Sequence, residues 1–109
     1  MIFVTGPFGY TSIGLSILIN NKKEKNNFIE KSIKSVINPK PKLSFGLKNK
    51  KYFSSSMDSS DGLSTTLNEM AKQSGKKFIV SNIPSNKDLE NYVKKKNLNL
   101  NSIIFNGGE

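Results

Sequence analysis

The chain has 109 residues and a mass of 12.1 kDa, enough for one domain with a modest core and too little for two ordinary ones. Its 17 lysines, with no arginine, against 8 carboxylates leave a formal charge of +9, a balance that favours a polyanionic partner. With neither cysteine nor histidine, zinc fingers, Cys-His nucleophile pairs and Ser-His-Asp triads are excluded, and carboxylates, hydroxyls, amides and lysines remain for chemistry.

Apolar residues make up 35% of the chain but fall in periodic clusters, unlike those of a disordered polyelectrolyte. Ile2-Phe3-Val4 reads as a short strand stopped by Gly6-Pro7, and Gly9 leads into a helix through Ile13, Leu15, Leu18 and Ile19. Phe28, Ile29, Ile33, Val36 and Ile37 share one stripe of a second helix, which Pro39 ends. Asn38 to Lys42 is held extended or turned by its two prolines, and a helical turn is expected near 43–47. Residues 52–57 read as a strand. Leu63, Leu67, Met70 and Ala71 then form a helical face closed by Gly75. Phe78-Ile79-Val80 reads as a further strand, and Ser85-Asn86-Lys87-Asp88 as a capping box opening a helix with Leu89, Tyr92 and Val93 inward. A last strand is expected over 102–105, running into Gly107-Gly108-Glu109. Strands alternating with helices predict an α+β domain, a layered α/β/α arrangement with a mixed sheet. The first apolar run begins at the second residue and the chain stops one residue past a Gly-Gly, which reads as a piece of a longer protein.

No apolar stretch approaches the ~20 residues of a membrane helix, and Met1 to Thr5 lacks the charged start of a secretory signal. With no cysteine to favour an oxidising compartment, a cytoplasmic location is expected.

The densest polar cluster is Ser54 to Leu63, placed where a strand should hand over to a helix. Asp58 and Asp61, three residues apart, can offer hard oxygens to Mg²⁺, which bridges to phosphate oxygens, while helix amides can bind phosphate directly. The plainer reading is that Asp58 or Ser60 caps the helix and Gly62 serves the turn. Gly6-Pro7-Phe8-Gly9 lacks the spacing of the established phosphate loops and reads as a tight strand-to-helix turn. Most of the lysines lie in five separate segments, from Lys22-Lys23 to Lys94-Lys95-Lys96, with no arginine as a bidentate reader of guanine or phosphate. They read as a solvated surface, and nucleic acid is not expected as a partner, although a small basic RNA- or DNA-binding module stands as an alternative.

Four stretches taken in order resemble the thiamine-monophosphate kinases, of the aminoimidazole-ribonucleotide-synthetase-like superfamily. They are Val4-Thr5-Gly6-x-x-Gly9 with Gly14-Leu15, then Asn38-Pro39-Lys40-Pro41-Lys42, then Met57 to Leu63 followed by Ser74-Gly75, and finally Gly107-Gly108-Glu109. The resemblance covers the chain but only the first part of that enzyme's C-terminal domain. It implies an N-terminal ATP- and Mg²⁺-binding dimerisation domain outside residues 1–109, a homodimer when complete, and no activity from this chain alone. It also implies transfer of the ATP γ-phosphoryl group to thiamine monophosphate, with Mg²⁺ between the phosphates. By match to the family's motifs, Asp58 and Asp61 are implied Mg²⁺ ligands, Ser60 an ATP contact and Glu109 a substrate contact, with no residue assigned a catalytic role. The chain departs from the family in three places. Lys42 stands where an arginine is common, Tyr10 where an aspartate often follows the second glycine, and Ser59 where an apolar residue is usual. A selenophosphate synthetase or aminoimidazole ribonucleotide synthetase type of superfamily member is the alternative within the same fold.

Overall fold

The computed structural model describes residues 1–107. It contains six α-helices: α1 (Tyr10–Ile19), α2 (Asn27–Ile37), α3 (Leu43–Asn49), α4 (Leu63–Ser74), α5 (Lys87–Lys95) and α6 (Leu100–Asn106), with a 3₁₀ turn at Lys50–Tyr52 after α3. The first five helices lie where periodicity placed them, and two of their ends show ordinary capping chemistry. Asn26 accepts a hydrogen bond from the Ile29 amide at 2.9 Å to open α2, and Gly75 closes α4 in the left-handed region at φ 60°.

The expected mixed sheet is absent: no residue among those described is in a strand. Two separate causes account for this. The segments 2–4, 52–57 and 78–80 have strand-like composition, but no ladder hydrogen bond joins any two of them, Tyr52 falls in the 3₁₀ turn, and a strand exists only through its partner. Many of their side chains are correspondingly bare, Phe3 at 72% and Ile79 at 85% exposed, while Phe53 and Phe78 are half-buried. Residues 102–105, by contrast, are helical: they lie inside α6. Asn99 accepts from the Ser102 amide at 2.9 Å, a helix start, and Leu100, Ile103 and Ile104 follow at helical spacing.

The core is built by α1, α2, α4, α5 and α6 around Phe8, Ile13, Ile17, Ile29, Leu63, Leu89, Val93 and Ile104. α1 lies closely along α2 because Gly14 has no side chain: a Cβ there would run into the Ser32 carbonyl and lie 2.9 Å from Val36 Cγ2. α6 touches both α1 and α4, so it joins the two halves of the helical layer. α3 stands apart, with none of its residues buried. No helix among the described residues is long and apolar enough to cross a membrane.

Candidate functional site

The loop before α4 does not behave as an ordinary helix cap. The N-cap position is Gly62, at φ 99°, and no side chain caps the helix, so neither Asp58 nor Ser60 does the capping that would explain it structurally. Asp58, Ser60 and Asp61 are all exposed, and among the described residues the two carboxylates have no hydrogen-bond or ion-pair partner. Two exposed, unpaired carboxylates three residues apart in sequence therefore precede a helix start that no side chain caps. Gly62 itself is buried.

The burial of Gly62 comes from α6. A Cβ at Gly62 would lie 2.9 Å from the Gly107 carbonyl oxygen and 3.1 Å from that of Phe105, so the loop's backbone lies directly on the C-terminal end of α6. Gly107 in turn packs on Ser12 of α1. The tertiary fold therefore gathers three of the stretches singled out in the sequence, the start of α1, the Asp58–Asp61 loop and the approach to the terminal Gly-Gly-Glu, around one helix end. Gly108 and Glu109 lie outside the described residues. The Gly6–Gly9 segment leads into α1, with Gly9 at its N-cap at φ 101°, but no strand precedes it, so the expected strand-to-helix turn is a loop-to-helix junction; Phe8 is buried and its amide donates to the Pro84 carbonyl at 2.8 Å.

A second polar cluster went unread in the sequence because its members are 10 to 88 in number and meet only in space. The Tyr10 hydroxyl donates to Asp88 Oδ1 at 2.6 Å and accepts from Lys31 Nζ and Asn86 Nδ2, each at 3.0 Å. Lys31 also reaches Asp88 Oδ2 at 3.3 Å and lies 4.3 Å above the Tyr10 ring. The Tyr10 hydrogen bond holds the Lys31 ammonium above its ordinary pKa. For Asp88, burial pushes upward, but hydrogen bonds from Tyr10, the Leu89 amide and Lys31 outweigh it and the carboxyl lies below its usual range. This cluster also corrects the expected capping box. Asn86 is the N-cap of α5 without a side-chain cap, the Asp88 carboxylate is spent on Tyr10 and Lys31, and the Ser85 hydroxyl donates to Glu90. The site of Tyr10 is thus a structural junction of α1, α2 and α5.

The lysines of the five segments are exposed, as a solvated surface requires.

A thiamine-monophosphate kinase of Nitrosopumilus maritimus is 61% identical over all 109 residues of this chain. The chain is a homologue of the thiamine-monophosphate kinases. That of Aquifex aeolicus is 31% identical over 99% of the chain. A solved structure, AaThiL complexed with AMPPCP and TMP, is 30% identical and matches 95% of the chain with a TM-score of 0.85. The chain spans about a third of the length of these relatives, 34% for the Nitrosopumilus protein and 36% for the Aquifex one. No protein-family model matches it.

In this thiamine-monophosphate kinase homologue the donor set suits Mg²⁺ held jointly with a phosphate. Among the described residues no three His, Cys, Asp or Glu side chains form a cluster for a metal. Mg²⁺ does not require one: it dehydrates reluctantly and is commonly bound through one or two carboxylates plus substrate phosphates. The two unpaired carboxylates of the loop fit that pattern.

Proposed function

We propose that the chain is part of an ATP- and Mg²⁺-dependent kinase that phosphorylates thiamine monophosphate to thiamine diphosphate. The observation that carries the proposal is the placement of the uncapped Asp58–Asp61 loop against Gly107, in a chain matched over its full length by thiamine-monophosphate kinases. That one solved relative is complexed with AMPPCP, a nucleotide triphosphate analogue, and TMP supports the pair of ligands. Asp58 and Asp61 would hold Mg²⁺, which when bound neutralises and aligns phosphate oxygens for in-line transfer. Ser60, exposed between them, offers a hydroxyl to an ATP phosphate, and Glu109 is the proposed substrate contact. No side chain of the loop needs to act as a base, because positioning and charge neutralisation supply most of the catalysis in phosphoryl transfer.

In this reading residues 1–109 form part of a C-terminal domain. The rest of the site, including an N-terminal ATP- and Mg²⁺-binding domain and the homodimer contact, belongs to the two thirds of the relatives' length that the chain does not span.

The test is a chimera in which this chain replaces the matching third of the Nitrosopumilus maritimus relative, assayed for ATP-dependent formation of thiamine diphosphate. The chimera is expected to require Mg²⁺, and Asp58→Asn or Asp61→Asn is expected to lower turnover by about a hundredfold or more with folding retained. The 109-residue chain alone is expected to show no turnover. A folded chimera that is inactive, or one indifferent to Asp61→Asn, would overturn the proposal.

A further inference from the structure

The two carboxylates can cooperate on one ion only if the backbone between them is held still, and neither carboxylate makes a hydrogen bond among the described residues that would do this. Among the described residues, the side chain that does so is Thr66, four residues into α4 and 7% exposed. Its hydroxyl donates to the Gly62 carbonyl at 3.1 Å and to the Asp58 carbonyl at 3.3 Å, and it is hydrogen-bonded to the Ser59 hydroxyl at 3.0 Å. The bond to Gly62 alone would be ordinary, since serine and threonine in helices often bond the carbonyl four residues back. The contacts to Asp58 and Ser59, eight and seven residues back, lie outside any helical pattern. A hydroxyl has one proton and two lone pairs, so the Thr66 proton is shared between the Gly62 and Asp58 carbonyls, while a lone pair on the Thr66 oxygen is free to accept from the Ser59 hydroxyl. Both ends of the carboxylate loop are thereby tied to a single oxygen: Asp58 through its own carbonyl, and Asp61 through its neighbour Gly62. From the other side the loop is backed by the α6 end at Gly107.

We propose that Thr66 is a positioning residue for the Asp58–Asp61 pair, clamping the loop through the Thr66–Ser59 hydroxyl pair so that the two carboxylates bind one divalent ion together. The clamp rests on the metal-binding role proposed above for these aspartates. It also gives Ser59, a departure from the family's apolar residue, a purpose beyond packing: its hydroxyl completes the pair.

The test compares wild type with Thr66→Val, which keeps the shape and removes the hydroxyl, Thr66→Ser, which keeps the hydroxyl, and Asp61→Asn. Two readouts are taken on the chimera with AMPPCP present, since the ion is proposed to be shared with a phosphate: amide hydrogen exchange across the loop, and Mn²⁺-induced broadening of the Asp58–Asp61 amide signals. Thr66→Val is expected to speed exchange of the loop amides roughly tenfold, the weight of about one hydrogen bond, and to weaken Mn²⁺ broadening by a similar factor. Thr66→Ser is expected to restore both. If Thr66→Val changes neither while Asp61→Asn abolishes the broadening, the clamp is wrong and the metal role stands. If Mn²⁺ broadens none of these signals in wild type, the metal role fails and the clamp's purpose with it. Should Thr66→Val unfold the chimera, Ser59→Ala removes the same pair from the partly exposed side, and unchanged exchange and broadening there would overturn the proposal.

Discussion

Tyr10 shows how much one side chain settles in this molecule. It is 5% exposed, and its hydroxyl is the meeting point of Lys31, Asn86 and Asp88. Tyr10→Phe removes the one group that satisfies these three at once, and a loss of about 1–3 kcal/mol of stability is expected, measurable as a shift in the urea midpoint. The same cluster dictates a pH dependence. The Asp88 carboxyl lies below its unfolded value, so its contribution is present above the ordinary aspartate range and is lost as pH falls through the folded value. Lys31 lies above its unfolded value, so its contribution is complete below the ordinary lysine range and is lost as pH climbs through the raised one. Urea midpoints are therefore expected to be flat through neutral pH and to decline at both extremes, with Asp88→Asn removing part of the acid decline. Thr66 and Tyr10 share a property that hid them from sequence reading. Each acts through partners that are distant in the chain or on an adjoining loop, and no spacing rule relates position 10 to position 88.

Among the helices, the α1–α2 pair is the most tightly specified. Gly14 allows the two backbones to meet at Ser32, which is fully buried. Gly14→Ala places a methyl group against backbone that cannot move aside independently, and a loss of about 1–3 kcal/mol is expected by thermal unfolding, despite alanine's better helix propensity. α6 depends on the Asn99 cap: Asn99→Ala is expected to cost about 1 kcal/mol and, because α6 carries Gly107 against Gly62, to raise hydrogen exchange in the Asp58–Asp61 loop as well. The misreading of 102–105 has a simple cause. Ile103-Ile104-Phe105 is β-branched and aromatic, which favours a strand, whereas the capping asparagine three residues ahead of Ser102 and the burial of Ile104 favour a helix. A short apolar run cannot be assigned by periodicity alone, and here the cap and the packing decide.

Taken as one body, the chain is elongated, 44 by 28 by 23 Å, with a radius of gyration of 14.9 Å against about 13 Å for an average compact domain of this size. The core is correspondingly small. Leu89 and Ile104 are fully buried in it, and truncating either to alanine is expected to cost about 2–5 kcal/mol, a large share of the stability of such a domain. Much apolar surface is left outside: Leu15, Leu18 and Ile19 on the second face of α1, and Leu43, Phe45 and Leu47 on α3. α1 carries no charged residue on any face, the pattern of a helix covered all round. Concentration-dependent association of the 109-residue chain is expected in sedimentation, and Leu15→Lys with Ile19→Lys is expected to suppress it without loss of helicity.

What the sequence determined by itself was local or carried in contiguous motifs. Five of the six helices, their proline and glycine boundaries, and the kinase resemblance could all be read because each depends on residues within a few positions of one another. The absent sheet, the helical state of 102–105 and the Tyr10–Lys31–Asp88 junction could not. Strand pairing is a relation between distant segments, and the composition of 2–4, 52–57 and 78–80 states a preference for a pleated surface without supplying its partner. The candidate site divides the same way. Asp58, Ser60 and Asp61 were legible as a motif, but whether they cap α4 or stand free was decided only in three dimensions, by Gly62 at the N-cap, by α6 behind it and by Thr66 beneath it.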